Sequence, residues 1–324
     1  MNAFAEAAGW GGATWEPIAG DASNRRYHRL SRAGRSAILM DAPVERGEDV
    51  RPFVAITEVL RARGLSAPEI LAADRGQGLL LLEDLGDTLF ARVCAGDPSV
   101  EPELYGAAVD LLASTVAPAP EIPPYDSGVL ARESRLAIEW YAEDQTLANE
   151  LPPHMATALS QVSEDRSALV LRDYHAENLI WLPQRDGVAR VGLLDYQDAL
   201  IGHPAYDLVS LLEDARRDTT AELRESMISR YLARRRDFDA ASFRAAYAAL
   251  GAQRNLKIIG IFARLCLRDA KPRYLALIPR VWDHLMRDLA HPSLSEVQAV
   301  VQHHMPAPEP AALDRLAAQA GSRG

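Results

Sequence analysis

The N-terminal quarter of the chain alternates between short apolar runs and clusters of turn-forming residues. Runs of this length bounded by turn formers predict β-strands. The predicted strands are 36–40, 70–73, 78–82 and a strand-turn-strand over 14–30. Between them, residues 49–63 carry apolar side chains at helical spacing, which predicts one helix that ends at Gly64. This part of the chain is therefore predicted to be a small antiparallel sheet with one helix.

After residue 84 most apolar positions follow helical spacing instead. The predicted helices are 101–116, 128–149, 153–163, 205–216, 219–236, 240–268 and 273–290. The stretch 168–198 interrupts them with short apolar runs around a turn, which are typical of strands. We therefore expect an α+β protein with a sheet-containing N-lobe at 1–84, a mainly helical C-lobe at 85–305 and a peripheral tail at 306–324.

Composition narrows the possible partners. The 324 residues carry 35 Lys and Arg against 45 Asp and Glu, so the formal net charge is −10. A nucleic-acid partner is not expected, because binding a phosphate backbone needs a basic face. No apolar run reaches the length of a membrane span, and the start of the chain lacks the pattern of a secretion signal. Two cysteines, Cys94 and Cys266, make no disulfide framework, so we expect a cytoplasmic protein without membrane contact.

Three oxygen-bearing side chains beside short apolar runs indicate a catalytic centre. Asp173 and Asn178 lie five residues apart after the run 169–171, and Asp195 follows the run 191–194. Phosphoryl transfer from a magnesium nucleotide needs a carboxylate that accepts the proton of the acceptor hydroxyl. It also needs oxygen ligands for Mg²⁺. An Asp and an Asn at this spacing are a weak signal alone, and the added Asp makes the set specific.

These residues carry a resemblance to the aminoglycoside phosphotransferase and choline kinase superfamily, which shares the protein-kinase fold. The kinase catalytic loop has the pattern HRDxxxxN, and residues 171–178 read LRDYHAEN. The resemblance covers roughly residues 14–290 and implies a bilobal protein-kinase-like fold with ATP and Mg²⁺ as cofactors. It implies that Asp173 is the catalytic base and that Asn178 and Asp195 are metal ligands.

Two more residues near this loop have roles implied by the resemblance. Asp207 lies in a stretch similar to the superfamily's GDPxxDL motif and would accept backbone N–H bonds near the catalytic loop. His175 stands two residues after the predicted base, where protein kinases often have a lysine. Its imidazole either donates a hydrogen bond to the transferred phosphate or packs the loop, and the sequence leaves both interpretations open.

The predicted nucleotide site departs from the superfamily in one respect. The turn at 20–24 occupies the place of the phosphate-covering loop, with Ser23 and Asn24 as candidate phosphate contacts. The following strand has no lysine, since both lysines of the chain lie beyond residue 250. Arg25 or Arg26 either supplies the missing charge or is a solvated strand residue. Glu58 is the nearest candidate for the superfamily's helix glutamate.

The run 79–82 followed by Glu83 and Leu85 resembles the hinge between kinase lobes. By this resemblance, the Glu83 carbonyl and the Leu85 N–H would pair with the adenine. The residues alone are equally compatible with an ordinary strand-to-turn junction.

Several stretches are most similar to one branch of the superfamily, the bacterial anomeric kinases of N-acetylmuramate and N-acetylglucosamine from cell-wall recycling. The stretches are 20–27, 38–43, 81–86, 172–178, 194–199 and 254–257. The resemblance implies ATP-dependent phosphorylation of the anomeric hydroxyl of a small sugar by a monomer. Candidate acceptor contacts are Tyr174, Asp198 and Arg254.

Two other functions remain open at this stage. An aminoglycoside or choline-type phosphotransferase would bind a cationic acceptor and would need clustered carboxylates. A nucleotide-binding pseudokinase would explain the missing strand lysine, although such a protein has no need of all three residues of the catalytic set. The charge of the acceptor pocket distinguishes the first of these alternatives from a sugar kinase.

Overall fold

A computed structural model describes residues 1–18, 24–114 and 122–323. The chain divides into two compact units. The first consists of Met1–Leu111 and Ala176–Ala199, and the second of Leu112–His175 and Leu200–Gly324. The predicted lobes are continuous stretches of chain, whereas the first unit also takes up the segment after the catalytic loop. The division at residue 84 stays a prediction.

The first unit is built on a five-stranded antiparallel sheet with the order β1-β2-β3-β5-β4. The strands are β1 Thr14–Ile18, β2 Arg26–Arg32, β3 Arg35–Asp41, β4 Ile70–Asp74 and β5 Leu79–Glu83. Residues 79–82 of β5 are buried, which explains why this strand is an unbroken run of leucines. The strands predicted from the apolar runs are confirmed, and residues 19–23 of the predicted turn lie outside the described residues.

Helices complete the first unit. They are α1 Asn2–Ala5, α2 Arg51–Ala62, α3 Phe90–Gly96 and α4 Glu101–Ser114, which continues across the boundary into the second unit. The predicted helix over 49–63 corresponds to α2, and its buried side chains Phe53, Val54, Ile56 and Leu60 have the spacing on which the prediction rested. Gly64 adopts a φ of 73° just after this helix, a conformation that glycine reaches without a steric cost.

Residues 168–202 contribute two short pairs of strands, one to each unit. The strands β6 Ala168–Val170 and β9 Leu200–Gly202 pair in the second unit, whereas β7 Leu179–Trp181 and β8 Val191–Leu193 form a hairpin in the first. Both pairs are antiparallel. The short apolar runs of 168–198 thus form strands as predicted, and β9 is an element that the sequence did not predict.

The second unit is mainly helical. Its helices are α5 Ser127–Ala137, α6 Gln145–Ala158, α7 Ala205–Leu212, α8 Ala221–Arg234, α9 Ala240–Leu267, α10 Ile278–Leu289, α11 Ser295–His304 and α12 Pro310–Ala317. The tail forms α12, whose residues are half-buried or exposed, and the Gly321 N–H donates to the Cys266 carbonyl at 3.1 Å. Across the described stretches, none of the helices has both the length and the apolar character needed to cross a bilayer.

One predicted helix, 128–149, is wrong. The chain leaves the helical conformation at Glu143, where φ is 51°, and α6 begins afterwards. Asp144 caps the new helix by accepting a hydrogen bond from the Leu147 N–H at 2.7 Å. The predicted helix at 153–163 is the continuation of α6 rather than a new element. The helical spacing of apolar residues continues across Glu143 and Asp144, so the sequence pattern could not reveal the break between the two helices.

The long helix α9 packs against α5 at a position where only glycine fits. A Cβ added at Gly260 would lie 2.5 Å from the Ala137 nitrogen and closer still to the Leu136 carbonyl group. We expect Gly260→Ala to destabilise the protein by about 2–3 kcal/mol, because backbone atoms cannot move aside as side chains do. Thermal unfolding should show a fall in Tm of about 3–5 °C.

The matched control for this prediction is Gly96→Ala, since Gly96 ends α3 with no atom within 4 Å of the added methyl group. Its Tm should stay within about 2 °C of the wild type, because alanine is the better helix former. An unchanged Tm in Gly260→Ala would contradict the close helix packing.

Candidate functional site

The catalytic loop that follows β6 is fixed by a buried carboxylate. The N–H groups of Leu171 and Arg172 donate to Asp207 on α7, at 2.6 and 2.8 Å. Burial raises the pKa of Asp207 to about 7, and the two backbone donors oppose that rise. Arg172 has a φ of 71°, so the loop makes a tight turn at this point. The structural role predicted for Asp207 is confirmed.

Further bonds hold the loop around the predicted base. The Asp173 N–H donates to the Leu171 carbonyl at 2.9 Å, and the His175 N–H donates to the Asp173 carbonyl at 3.1 Å. The Arg172 guanidinium forms an ion pair with Glu133, which also pairs with Lys257 at 3.0 Å. The backbone on both sides of Asp173 is therefore held in a defined position, which suits a residue that must meet a substrate atom.

Asp173 opens onto a cavity of about 120 Å³ within the second unit. Its charged or titratable lining residues are Asp173, His175, Tyr206, Asp214, Arg216, Arg254 and Lys257. Three cationic side chains therefore stand against two carboxylates, one of which is the predicted base. Burial lowers the pKa of His175, so the imidazole is neutral at pH 7 and keeps one N–H to donate.

The residues predicted to contact the acceptor are not brought together. Arg254 lines the cavity and donates to the Ser210 hydroxyl at 2.9 Å and to the Glu213 carbonyl at 3.3 Å. Tyr174 is 1% exposed and does not line this cavity. Asp198 belongs to the first unit, where the Gln197 amide lies 3.5 Å from its carboxylate. Contacts of the acceptor with these three residues stay predictions.

A second cavity, of about 400 Å³, lies within the first unit. Apolar side chains of the sheet, of α2, of the residue before α3 and of the β7–β8 hairpin form its walls. These are Ile18, Ile38, Phe53, Leu82, Leu89, Ile180 and Leu194. Polar groups occupy two edges: the segment 83–87 and the group Asn178, Asp195 and Gln197. A slot with apolar walls and two polar edges fits a nucleotide, whose base is flat and apolar on its faces.

The segment 83–87, predicted to be the hinge, is held by ion pairs with a residue of β2. Arg29 binds Asp84 at 2.8 Å and Asp87 at 2.8 Å, and the Gly86 N–H donates to Asp84 at 3.0 Å. Within residues 1–18, 24–114 and 122–323, the Leu85 N–H donates to no other group. Glu83 ends β5, and its side chain accepts from Arg185 at 2.5 Å. These bonds hold the segment, which presents a backbone donor at the edge of the cavity.

The β7–β8 hairpin places the two predicted metal ligands beside each other. The Leu194 N–H donates to the Asn178 carbonyl at 3.0 Å, so Asn178 and Asp195 stand at the same end of the hairpin. The Gln197 amide donates to Asp195 at 2.8 Å. An amide oxygen and a carboxylate are suitable ligands for Mg²⁺. In the part of the chain that the structure describes, no three His, Cys, Asp or Glu side chains form a metal site by themselves.

The cationic candidates at the start of β2 differ in their surroundings. Arg25 pairs with Glu48 at 2.9 Å, whereas Arg26 pairs with Asp41 at 3.2 Å and its side chain is 54% exposed. The Asn24 N–H donates to Glu48 at 3.1 Å. Ser23 lies outside the described residues. Glu58, the predicted helix glutamate, is exposed and lies 4.0 Å from Arg75.

Sequence reasoning missed several residues that the structure brings to these two cavities. Arg29 and Gln197 belong to the nucleotide cavity, and Arg216 and Lys257 to the cavity beside Asp173. The sequence signals for Lys257 are its place in the stretch 254–257, which resembles the amino-sugar kinases, and its being one of the two lysines of the chain. For Arg29, the sequence signal is a positively charged residue in β2 together with two aspartates, Asp84 and Asp87, in the segment 83–87.

Comparison with known proteins decides the family. The model of the phosphotransferase enzyme family (APH) matches residues 14–246. The chain belongs to this family. Two relatives that match this chain over most of its length are named N-acetylmuramate/N-acetylglucosamine kinase. One, from Caulobacter vibrioides, is 41% identical over 94% of this chain and 95% of its own, and one from Pseudomonas aeruginosa is 37% identical over 90% and 89%.

The solved structures share the fold of this phosphotransferase at low sequence identity. A choline/ethanolamine kinase family protein from Mesorhizobium loti superposes with a TM-score of 0.62 at 14% identity, and the match covers 90% of this chain and 92% of that one. The protein-kinase-like fold predicted from the resemblance is confirmed, as is the assignment to the phosphotransferases. A kinase of this family uses a nucleoside triphosphate as its phosphate donor.

Proposed function

We propose that this phosphotransferase transfers the γ-phosphate of MgATP to the anomeric hydroxyl of N-acetylmuramate or N-acetylglucosamine. Similarity to relatives named for these two sugars extends over nearly the whole chain. The structural observation that carries the proposal is the charge of the cavity beside Asp173, where Arg216, Arg254 and Lys257 supply three cations. Such a lining suits a neutral sugar or one with a carboxylate, and it disfavours the polycationic aminoglycosides or choline.

In this proposal Asp173 accepts the proton of the anomeric hydroxyl as it attacks. An anomeric hydroxyl is more acidic than an ordinary alcohol, so a carboxylate is a sufficient base. The neutral His175 donates a hydrogen bond to the transferred phosphoryl group. Tyr174, Asp198 and Arg254 remain candidate contacts of the sugar, because fixed polar groups penalise an acceptor that leaves them unpaired.

The nucleotide would lie in the cavity of the first unit. The Leu85 N–H and the Glu83 carbonyl would pair with the adenine, and the apolar walls would exclude water from its faces. Asn178 and Asp195 would hold Mg²⁺, which neutralises charge on the phosphate oxygens when bound. Ser23, Asn24 and one of Arg25 and Arg26 would contact the phosphates.

The proposal also places this enzyme in the cytoplasm, acting as a monomer on a small sugar without a nucleic-acid or membrane partner. A net charge of −10 is unfavourable for both of these anionic surfaces. Cys94 and Cys266 are buried thiols, as suits a reducing compartment. Gel filtration at low protein concentration tests the oligomeric state.

A ³¹P NMR turnover assay over amino sugars, their methyl glycosides, choline and an aminoglycoside tests the acceptor. We expect the free sugars to give a sugar 1-phosphate and the methyl glycosides to give no product, because their anomeric oxygen is blocked. A 6-phosphate, or turnover of a methyl glycoside, would refute transfer to the anomeric oxygen. Turnover confined to choline or the aminoglycoside would favour an amine-modifying kinase instead.

A further inference from the structure

The first unit has no lysine with which to meet nucleotide phosphates. Both lysines of the chain, Lys257 and Lys271, belong to the second unit, and β3 carries Met40 and Asp41 instead. Kinases generally place a strand lysine on the phosphates and hold it with a glutamate from the next helix. A cation from elsewhere in the first unit must therefore replace that lysine if the reaction is the proposed one.

Arg25 and Glu48 form an ion pair with the features of such a replacement. The Arg25 Nε lies 2.9 Å from a Glu48 carboxylate oxygen, and each side chain is only 14% exposed. The other oxygen of Glu48 accepts the Asn24 N–H at 3.1 Å. One carboxylate thus fixes both the guanidinium and the backbone before β2. Glu48 precedes α2 by three residues, so the pair links a strand to the start of a helix.

Tyr27 connects this ion pair with the metal end of the nucleotide cavity. Its side chain hydrogen-bonds with Arg25, and its ring lines the cavity together with Asp195. Burial raises the pKa of Tyr27, Arg25 lowers it, and the nearby Asp195 carboxylate adds to the rise. Burial also acts to lower the pKa of Arg25, but Tyr27 and Glu48 outweigh it, so the guanidinium stays charged.

Arg25 and Arg26 differ in their place relative to β2. Arg25 directly precedes the strand, whereas Arg26 is its first residue. Successive side chains of a strand point to opposite faces, so Tyr27 and Arg29 share the face opposite to Arg26. Tyr27 and Arg29 both line the nucleotide cavity. Arg26 stands on the other face, where its exposed guanidinium pairs with Asp41.

We propose that Arg25, positioned by Glu48 and Tyr27, supplies the positive charge on the nucleotide phosphates that a strand lysine supplies in other kinases. Glu48, rather than Glu58, then takes the part of the helix glutamate. This inference rests on the proposed use of MgATP but not on the identity of the acceptor. Arg25 is a phosphate-binding residue in this assignment, and Glu48 is a positioning residue that acts through it.

Calorimetric titration with adenosine and with ADP, in the presence of Mg²⁺, distinguishes the loss of a phosphate contact from a general disturbance of the nucleotide cavity. Only ADP carries phosphates, so a lost phosphate contact weakens ADP binding alone. Arg25→Ala should weaken ADP binding by about 10–100-fold, because a charge-assisted hydrogen bond is lost. Adenosine binding should stay within about twofold of the wild type. Arg25→Lys keeps the charge without the forked geometry and should fall between the two. Arg75→Ala removes an exposed arginine of the same unit and should change neither affinity.

Glu48→Gln tests the positioning role. This substitution should weaken ADP binding less than Arg25→Ala does. The double variant Arg25→Ala/Glu48→Gln should bind ADP no worse than Arg25→Ala alone, because Glu48 acts through Arg25. Additive losses, an equal fall in adenosine and ADP affinity, or unchanged ADP binding would each overturn the assignment. The assignment would also be overturned if Arg26→Ala weakened ADP binding and Arg25→Ala did not. No acceptor takes part, so a wrong proposal about the sugar leaves this result unaffected.

Discussion

Asp173→Asn is expected to lower kcat by about 10²–10⁴-fold, because an amide cannot accept the proton of the attacking hydroxyl. The substitution keeps the size of the side chain, and the backbone bonds of Leu171, Arg172 and Asp173 are untouched. Nucleotide affinity should persist, since the residues that line the nucleotide cavity all belong to the first unit and Asp173 belongs to the second. The expected result is an enzyme that binds MgATP and turns over slowly.

Steady-state kinetics with N-acetylglucosamine and calorimetry with ADP measure these two properties. Asp283→Asn is the matched control, because Asp283 is an exposed aspartate on α10 of the same unit. Its kcat should equal that of the wild type. A near-normal kcat in Asp173→Asn would show that another group accepts the proton, and a parallel loss of ADP affinity would show that the substitution disturbs more than the base.

The fold of the first unit could be predicted from local patterns. The strands β3, β4 and β5 and the helix α2 each carry their periodicity within a few residues, so their ends fall within two residues of the predicted ones. The break between α5 and α6 could not be predicted in the same way. Its cause is a positive φ at Glu143 and a cap at Asp144, and apolar residues continue on either side.

The candidate site shows the same division between local and distant information. Asp173, Asn178 and Asp195 lie in one short stretch beside strands, where spacing alone defines the set. Lys257 reaches the cavity beside Asp173 from the middle of α9, far along the chain from Asp173, and the local spacing of its stretch does not predict this contact. The sequence makes Glu58 the nearest candidate for the helix glutamate because it lies on the helix that follows the strand without a lysine. The pairing of Glu48 with Arg25 depends on how β2 meets the turn before α2.

Asp195→Asn is expected to remove the Mg²⁺-dependent part of nucleotide binding, with a loss of at least about 100-fold in affinity for MgADP. Changing a residue that only supports a metal ligand typically costs about 10–100-fold, and here the charged ligand itself is removed. Asparagine is preferred to alanine because Asp195 has a φ of 55°, which asparagine adopts readily. Its amide oxygen can still accept the Gln197 hydrogen bond, so the loss reports the charge.

Titration of MgADP and of metal-free ADP against the same variant separates the two contributions. Metal-free ADP should bind Asp195→Asn at least as well as the wild type, because the substitution removes a negative charge that repels the phosphates. Asp186→Asn, an exposed aspartate between β7 and β8, is the matched control and should leave both affinities unchanged. Unchanged MgADP affinity in Asp195→Asn would exclude this carboxylate as a metal ligand, since a hard cation does not exchange a charged oxygen ligand for a neutral one without a loss.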